Sequence, residues 1–165
     1  MIRTVGIDPM RRGLCFAVIE SEERLLGWGC TGAPRLLARY VRKAIWKLLD
    51  EYDPDYVVLE APEGSRRGRR ARRAIEIIQH EALEYGSGVR RVSRRDVQRA
   101  FASNGTSKHE IAQAVARQFP ELRRSLPPRR KLGDSERERM NVFDAASFAI
   151  TTLPGIEVDR WNAAG

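Results

Sequence analysis

Two short apolar runs in this chain each end on a carboxylate, with a proline close behind. The first is "TVGIDPM", residues 4–10, in which the run leads to Asp8 and Pro9 follows. The second is "YVVLEAP", residues 56–62, in which the run leads to Glu60. A run that is apolar on both faces is typical of a central, parallel strand. We therefore expect two buried strands, and we expect Pro9 to end the first so that Asp8 faces a site.

The other patterns of the chain predict a mixed α/β sheet. Strands are expected at 14–20 and 25–31, and the polar turn "ESEER" between them predicts an antiparallel hairpin. Helical spacing of apolar residues predicts a helix from Pro34 to about Glu51. The later patterns predict a helix over about 75–85, a strand at 89–92, and helices at 94–102, 107–119 and 136–153, the last capped by Ser135 and Glu138. A hairpin that leads into βαβ units gives a mixed sheet with helices on both faces.

The charge of the chain favours a polyanionic partner. The net charge is +8 and most of the positive residues are arginine. Nucleic acid is the first candidate and an anionic membrane the second. We find no signal-peptide pattern and no apolar run long enough to cross a membrane. Cys15 and Cys30 lack metal-binding spacing, so we expect core thiols in a reducing compartment and a cytoplasmic protein with no membrane partner.

A third acid completes a candidate metal site. Asp144 lies in "MNVFDAASFAIT" beside the apolar face of the last helix, with Asn141 one turn earlier. If the strand that ends at Glu60 lies beside the strand that ends at Asp8, the two acids meet at the carboxyl ends of neighbouring strands. Clustered carboxylates repel one another unless a cation neutralises them, and oxygen ligands suit Mg²⁺ or Mn²⁺. Two such ions about 4 Å apart can hydrolyse a phosphodiester.

Lys108 stands at a position that is unusual for a cation. Ser107 and Glu110 have the spacing of a capping box, which makes Lys108 the first residue of a helix. A positive charge there opposes the helix dipole, at a cost of about 0.3–1 kcal/mol. The placement makes sense if a phosphate docks at this helix terminus.

Four stretches together resemble the RuvC-type Holliday-junction resolvases of the RNase H-like superfamily, over about residues 3–153. They are "GIDP" at 6–9, "VVLEAP" at 57–62, "SNGTSKHEIAQAV" at 103–115 and "NVFDAASFAIT" at 141–151. The resemblance implies an RNase H-like sheet of five strands in the order 3-2-1-4-5, with strand 2 antiparallel and helices on both faces. It also implies one nuclease domain over 1–153, followed by a loose tail over 154–165.

The resemblance further implies a metal-dependent endonuclease that acts on DNA four-way junctions, usually as a homodimer, with two Mg²⁺ or Mn²⁺ ions in each site. Asp8, Glu60 and Asp144 match the metal ligands of the family, and Lys108 matches the lysine of its glycine-then-lysine entry to the fourth helix. We expect Lys108 to be catalytic and to steady the charge that develops on the phosphate. Asn141 stands where the family has a fourth ligand, usually Asp and sometimes His. Asn offers a carbonyl oxygen but no charge, so one metal should bind more weakly.

Two further positions depart from the family pattern. Met10 stands where the family has glycine, and no aromatic residue follows Glu60 to enter the junction centre. An arginine-rich segment over 66–73 is expected to hold phosphates instead. The expected nucleic-acid contacts are Arg66, Arg67, Arg69, Arg70, Arg72, Arg73, Lys108, His109, Arg129, Arg130 and Lys131.

Other interpretations stay open at this point. A nuclease of the same fold could act on structured RNA or on other branched DNA. A site weakened by Asn141 could leave a nucleic-acid-binding module without catalysis. Trp28 and Trp46 are expected to lie in the core rather than to stack on bases.

Overall fold

The computed structural model describes residues 1–32, 35, 37–129, 131 and 139–154. The strands are β1 (Thr4–Met10), β2 (Gly13–Ser21), β3 (Arg24–Gly32), β4 (Tyr56–Glu60) and β5 (Gly88–Val92). The α-helices are α1 (Ala38–Tyr52), α2 (Arg69–Tyr85), α3 (Arg94–Ala100), α4 (Lys108–Gln118) and α5 (Met140–Thr151), with short 3₁₀ helices at Ala102–Asn104 and Pro120–Ser125.

The five strands form one sheet in the order β3-β2-β1-β4-β5. β2 is antiparallel to both β1 and β3, whereas β4 is parallel to both β1 and β5. The expected mixed sheet, its order and its hairpin are therefore confirmed. The direction of the strand order reverses between β1 and β4, which is where open α/β sheets bind ligands.

Helices cover both faces of the sheet, and the alternation of β1 shows how. Val5 and Ile7 pack in one buried cluster with α1 and α2. The intervening Gly6 and Asp8 face the other side, because side chains alternate along a strand. That side is covered by α3, α4 and α5, which form a second cluster with Val58 of β4. No helix in the described part of the chain is long and apolar enough to cross a membrane.

Gly6 allows α5 to lie directly against β1. A Cβ atom at this position would stand 1.9 Å from the carbonyl oxygen of Ala145. No side chain fits in that space, so the glycine sets the distance between the strand and the helix. The same approach brings Asp144, the neighbour of Ala145, to the end of β1.

Pro9 does not end β1, so that expectation is wrong. The strand continues to Met10, and Pro9 pairs with Leu14 of β2. The pairing of β1 with β4 stops earlier, at Gly6. Pro9 therefore lies where β1 has a neighbour on one side only, and its missing N–H is tolerated there.

Several element ends differ from the sequence prediction or lie outside the described residues. The helix expected over 94–102 ends at Ala100 and continues as the 3₁₀ turn Ala102–Asn104. Helix α1 begins at Ala38 rather than at Pro34, because Leu37 has an extended backbone. The Ser135–Glu138 cap and residues 155–165 of the tail lie outside the described residues. The described part of the last helix is α5, Met140–Thr151.

The two cysteines are not free thiols, which corrects the sequence prediction. Cys15 and Cys30 are register partners on β2 and β3, and they form a disulfide. Antiparallel register brings directly opposite side chains within bonding distance. The argument for a reducing compartment therefore loses its support from the cysteines.

The expectation that Trp28 and Trp46 lie in the core is also wrong. Trp28 is 39% exposed and Trp46 is 38% exposed. Trp46 packs edge-on against Tyr85, and its indole N–H donates to Glu81 at 2.6 Å. An indole that lies half in solvent with its N–H bonded is a stable placement for this side chain.

Candidate metal and nucleic-acid site

The candidate site opens where β1 and β4 separate. The last paired residues of these parallel strands are Gly6 and Val58. Asp8 and Glu60 each lie two residues further along their strands, so both side chains face α5. The structure therefore brings together the two strand-end carboxylates that the sequence singled out.

The guanidinium group of Arg67 lies between these two carboxylates. Its Nη2 donates to Asp8 and its Nε donates to Glu60, in two charged hydrogen bonds. Its Nη1 donates to the carbonyl oxygen of Pro9 at 2.8 Å. All three nitrogens of the guanidinium are therefore bonded to the ends of the two strands.

Glu60 is held by two further residues. The Ser65 hydroxyl donates to Glu60 Oε2 at 2.9 Å. Arg91 of β5 donates to the main-chain carbonyl of Glu60 at 2.8 Å and to the side chain of Gln79. These bonds fix both the backbone and the carboxylate at the end of β4.

Helix α5 contributes the other two predicted site residues. Asn141 Nδ2 donates to Asp8 Oδ2 at 2.8 Å. Asp144 lies one turn later, and its Oδ2 accepts from Lys108 Nζ at 3.0 Å. It is the amide nitrogen of Asn141, rather than its oxygen, that contacts Asp8 in this arrangement.

The capping box that places Lys108 is present. The Ser107 hydroxyl accepts from the Glu110 N–H, and the Glu110 carboxylate accepts from the Ser107 N–H at 2.9 Å. Lys108 is the first residue of α4, as the sequence predicts. Backbone bonds to Ser107 are the main reason why the pKa of Glu110 is lowered.

Burial dominates the electrostatics of Asp8. The side chain is 1% exposed, and burial is the main cause that raises its pKa from 3.8 to about 7. The positive charge of Arg67 opposes this shift, the negative charge of Asp144 adds to it, and the hydrogen bonds from Arg67 and Asn141 oppose it. The carboxyl group therefore titrates near neutral pH.

The donor chemistry of the site fits a hard divalent cation. Asp8, Glu60 and Asp144 supply carboxylate oxygens, which Mg²⁺ and Mn²⁺ prefer. The guanidinium of Arg67 shows that a cation is accommodated between the first two. As they stand, no three His, Cys, Asp or Glu side chains of the described residues are grouped so as to hold an ion. The adjoining cleft has a volume of about 40 Å³ and is lined by Glu60, Arg67, Arg94, Val97, Lys108, Ile111, Asp144, Ser147 and Phe148.

Comparison with solved structures supplies the fold family. A structure entitled "T. thermophilus RuvC in complex with Holliday junction substrate" matches with a TM-score of 0.70 and 19% identity, over 92% of each chain. A second Thermus thermophilus RuvC structure matches with a TM-score of 0.69 and 20% identity, over 91% of this chain and 92% of that one. The chain has the RuvC fold. The yeast mitochondrial Holliday junction resolvase Ydc2 matches with a TM-score of 0.57 and 9% identity, over 91% of this chain and 77% of that one. No protein-family model and no curated protein sequence matches the chain.

The arginines after β4 do not form a uniform group on this RuvC fold. Arg67 is turned inward onto the carboxylates, with only 18% of its side chain exposed. Five others of the segment are exposed and stay candidates for phosphate contacts: Arg66, Arg69, Arg70, Arg72 and Arg73. The sequence prediction treated Arg67 as one of six equivalent phosphate contacts, and the structure separates it from the rest.

The remaining basic candidates are spread around α4 and the segment after it. Arg129 and Lys131 are exposed, and Arg130 lies outside the described residues. His109 is half-buried next to Lys108, and its Nδ1 is buried with no hydrogen-bond partner among the described residues.

Sequence reasoning missed two residues of the site. Ser65 bonds Glu60, and Arg94, the first residue of α3, lines the cleft. Ser65 lies five residues after Glu60 in a turn closed by its own N–H and the Pro62 carbonyl. The proline and glycine of "APEGS" signal such a turn, but they do not indicate which side chain points back to the strand.

Proposed function

We propose that this chain is a divalent-metal-dependent endonuclease that hydrolyses phosphodiester bonds in branched DNA. The four-way Holliday junction is the first candidate substrate, which makes it a crossover-junction-type endodeoxyribonuclease. One observation carries the proposal: Asp8 and Glu60 share Arg67 where β1 and β4 separate, and Asp144 lies near enough to raise the pKa of Asp8, in a fold shared with RuvC. The Holliday junction named for one matching structure, together with the net charge of +8, supports a DNA partner.

In this proposal the three carboxylates hold Mg²⁺ or Mn²⁺. When it is bound, a divalent ion supplies the positive charge that polarises a phosphodiester and activates water for its hydrolysis. Lys108 orients Asp144 through the 3.0 Å contact and offers a positive charge at the N-terminus of α4. Backbone N–H groups at such a terminus favour a phosphate. Lys108 would thus stabilise negative charge that develops on the phosphate.

The exposed arginines after β4 would hold the DNA arms. They extend from the site along the first turn of α2 without an acidic residue between them. Arginine forks bind phosphate in two-point contacts that carry no base preference. Arg129 and Lys131, on the chain beyond α4, would add to the same positive surface.

Cleavage of a labelled four-way junction tests the proposal. Wild-type protein in Mg²⁺ or Mn²⁺ should nick the junction, and Asp8→Asn should not. The Asn variant keeps the size of the side chain and removes its charge, so it controls for contaminating nuclease. Equal cleavage by both proteins would refute the catalytic assignment.

The substrate class needs its own competition experiment. A labelled junction is mixed in turn with four unlabelled competitors: a four-way junction, a fork, a linear duplex and a structured RNA. The salt concentration is fixed, because phosphate contacts dominate affinity and depend on salt. The proposal predicts that the junction competes best. Stronger competition by RNA would favour a structured-RNA nuclease of the same fold.

A second candidate function has its own support. Arg67 neutralises Asp8 and Glu60, and Asn141 adds no charge, which is the pattern of a nucleic-acid-binding module with weakened catalysis. Calorimetric titration with Mn²⁺ separates the two functions. Metal binding favours the nuclease, whereas tight DNA binding without any metal binding favours the module.

A homodimer, which the family resemblance implies, and a cytoplasmic location, which fits a DNA partner, complete the proposal. Multi-angle light scattering on the free protein should give twice the mass of the 18.8 kDa chain. A mass of one chain would refute the dimer.

A further inference from the structure

All three nitrogens of the Arg67 guanidinium are hydrogen-bonded within the protein, so none is left to bind a phosphate. Its guanidinium donates to Asp8, to the carbonyl of Pro9 and to Glu60, so both strand ends hold it. We propose that Arg67 is the resident cation of the carboxylate site, which a divalent ion must displace before it binds Asp8 and Glu60. The inference rests on the proposed function, because it takes these carboxylates to be metal ligands.

Both carboxylate oxygens of Asp8 and one carboxylate oxygen of Glu60 already accept hydrogen bonds from side chains. One oxygen of Asp8 accepts from Arg67 and the other accepts from Asn141. Oε2 of Glu60 accepts from both Arg67 and Ser65. An ion that approaches these oxygens therefore meets a fixed positive charge at close range, which is a strong repulsion in a partly buried site.

The net charge of the site favours a divalent ion that replaces Arg67 over one that binds beside it. Asp8, Glu60 and Asp144 carry three negative charges when ionised, and Lys108 and Arg67 carry two positive ones. A divalent ion added beside Arg67 would leave an excess positive charge. The same ion in place of Arg67 would leave the site neutral, so the exchange avoids a buried net charge.

The position of Arg67 in the chain lets it leave without breaking an element. It lies between β4 and α2, in a segment with no helix or strand. Gly64 in this segment has a φ of +72°, and Gly68 is the N-cap residue of α2. Within the part of the chain that the structure describes, the backbone N–H of Arg67 donates to the Ser65 hydroxyl alone, at 3.3 Å. A change of side-chain rotamer would place Arg67 among its exposed arginine neighbours.

Calorimetric titration of metal-free protein with Mn²⁺, in the absence of DNA, tests the inference. Arg67→Gln should bind Mn²⁺ about tenfold more tightly or better, because the competing charge is gone. Arg67→Lys keeps the positive charge but loses the two-point contact of the guanidinium. Its affinity for Mn²⁺ should therefore lie between those of the wild type and Arg67→Gln. Arg66→Gln is the matched control: it makes the same charge change at an exposed neighbour, and it should bind Mn²⁺ as the wild type does.

The outcomes separate this inference from the proposed function. Unchanged or weaker Mn²⁺ binding by Arg67→Gln overturns the inference and leaves the metal-dependent nuclease standing. A complete lack of Mn²⁺ binding by wild type and variants overturns both.

A measurement on the wild type avoids any folding defect of the variants. The Nε–H of Arg67, assigned by its loss in Arg67→Lys, should give a protected NMR signal in metal-free protein. Added Mg²⁺ should shift this signal and speed its exchange with water. A signal that stays protected at saturating Mg²⁺ overturns the inference.

Discussion

At the scale of the residue, Asp8 links the stability of the protein to its chemistry. Its pKa of about 7 lies above the ordinary value of 3.8, so ionising the folded protein costs free energy. This cost is absent below about pH 4, grows as the pH rises through the interval between the two values, and is fully present above pH 7. The same carboxylate must be ionised to bind a metal, which makes metal binding compete with a proton below about pH 7.

The first prediction concerns Asp8→Asn, which is neutral at every pH. In metal-free protein, its free energy of unfolding relative to the wild type should rise by roughly 3 kcal/mol between pH 5 and pH 8, since one pKa unit is worth about 1.4 kcal/mol. Urea unfolding at both pH values measures the difference. A difference that does not change with pH would contradict the raised pKa of Asp8.

The second prediction concerns Lys108, whose side chain is 38% exposed. Lys108→Ala should slow junction cleavage by about 10²-fold, because a positive charge near the phosphate is lost. Its melting temperature should change little, since an exposed ion pair contributes about 1 kcal/mol or less. Single-turnover cleavage and thermal unfolding measure the two effects. A large loss of stability with unchanged cleavage would make Lys108 structural only.

The sequence predicted the carboxylates but not the role of Arg67. Asp8 and Glu60 were found because a charge at the end of an apolar strand is visible in the local pattern. Arg67 is one of six arginines within residues 66–73, and nothing local distinguishes it. Its inward turn depends on the distance between β1 and β4, which is a property of the assembled sheet.

At the scale of the element, the approach of α5 to β1 sets the geometry of the site. Asn141 and Asp144 reach the strand end because Gly6 leaves room for the backbone of the helix at Ala145. Ten of the twelve residues of α5 are buried, so the helix is packed on most of its sides. If it were pushed away from β1, this packing would prevent it from rotating to bring Asn141 and Asp144 back to the strand end.

The third prediction follows from this approach. Gly6→Ala should push α5 away and destabilise the protein by roughly 3 kcal/mol, because backbone rather than a flexible side chain fills the space. Mn²⁺ affinity should also fall, since Asp144 moves away from Asp8. Gly29→Ala is the control, because a Cβ there would lie 3.5 Å from Phe16, an ordinary contact. Equal stability of the two variants would refute the close packing.

The disulfide across the β2–β3 hairpin could have been predicted from the sequence but was not. Cys15 and Cys30 are equally distant from the centre of the turn between β2 and β3, so a hairpin in simple register places them opposite each other. Composition and motif spacing carried the prediction of free thiols, and neither takes register into account. Register also explains why β1 continues past Pro9: its pairing with β2 runs to Met10, although its pairing with β4 ends at Gly6.

At the scale of the whole molecule, a run of exposed arginines follows the carboxylate of Glu60 into the start of α2. Arg69 and Arg73 lie one helical turn apart on α2, and both are exposed. Lys43 and Lys47 on α1 are equally exposed and equally spaced, but they lie on a different element. The two pairs allow the position of the charge to be separated from its amount.

The fourth prediction uses these two pairs. Arg69→Gln/Arg73→Gln should weaken junction binding and reduce the salt slope of log K by roughly 0.9 for each phosphate contact that is lost. Lys43→Gln/Lys47→Gln makes the same change in net charge and should leave the slope nearly unaltered. Fluorescence anisotropy over a range of salt concentrations measures both. Equal slopes for the two double variants would refute a binding surface at the start of α2.

The claim that underlies this account is that Asp8, Glu60 and Asp144 form a metal centre from which Arg67 withdraws. Anomalous diffraction from crystals grown with Mn²⁺ tests it most directly. We expect a manganese peak within bonding distance of Asp8 and Glu60, with the Arg67 guanidinium moved away from both. Crystals saturated with Mn²⁺ that show no peak there, and Arg67 still bonded to both carboxylates, would contradict it.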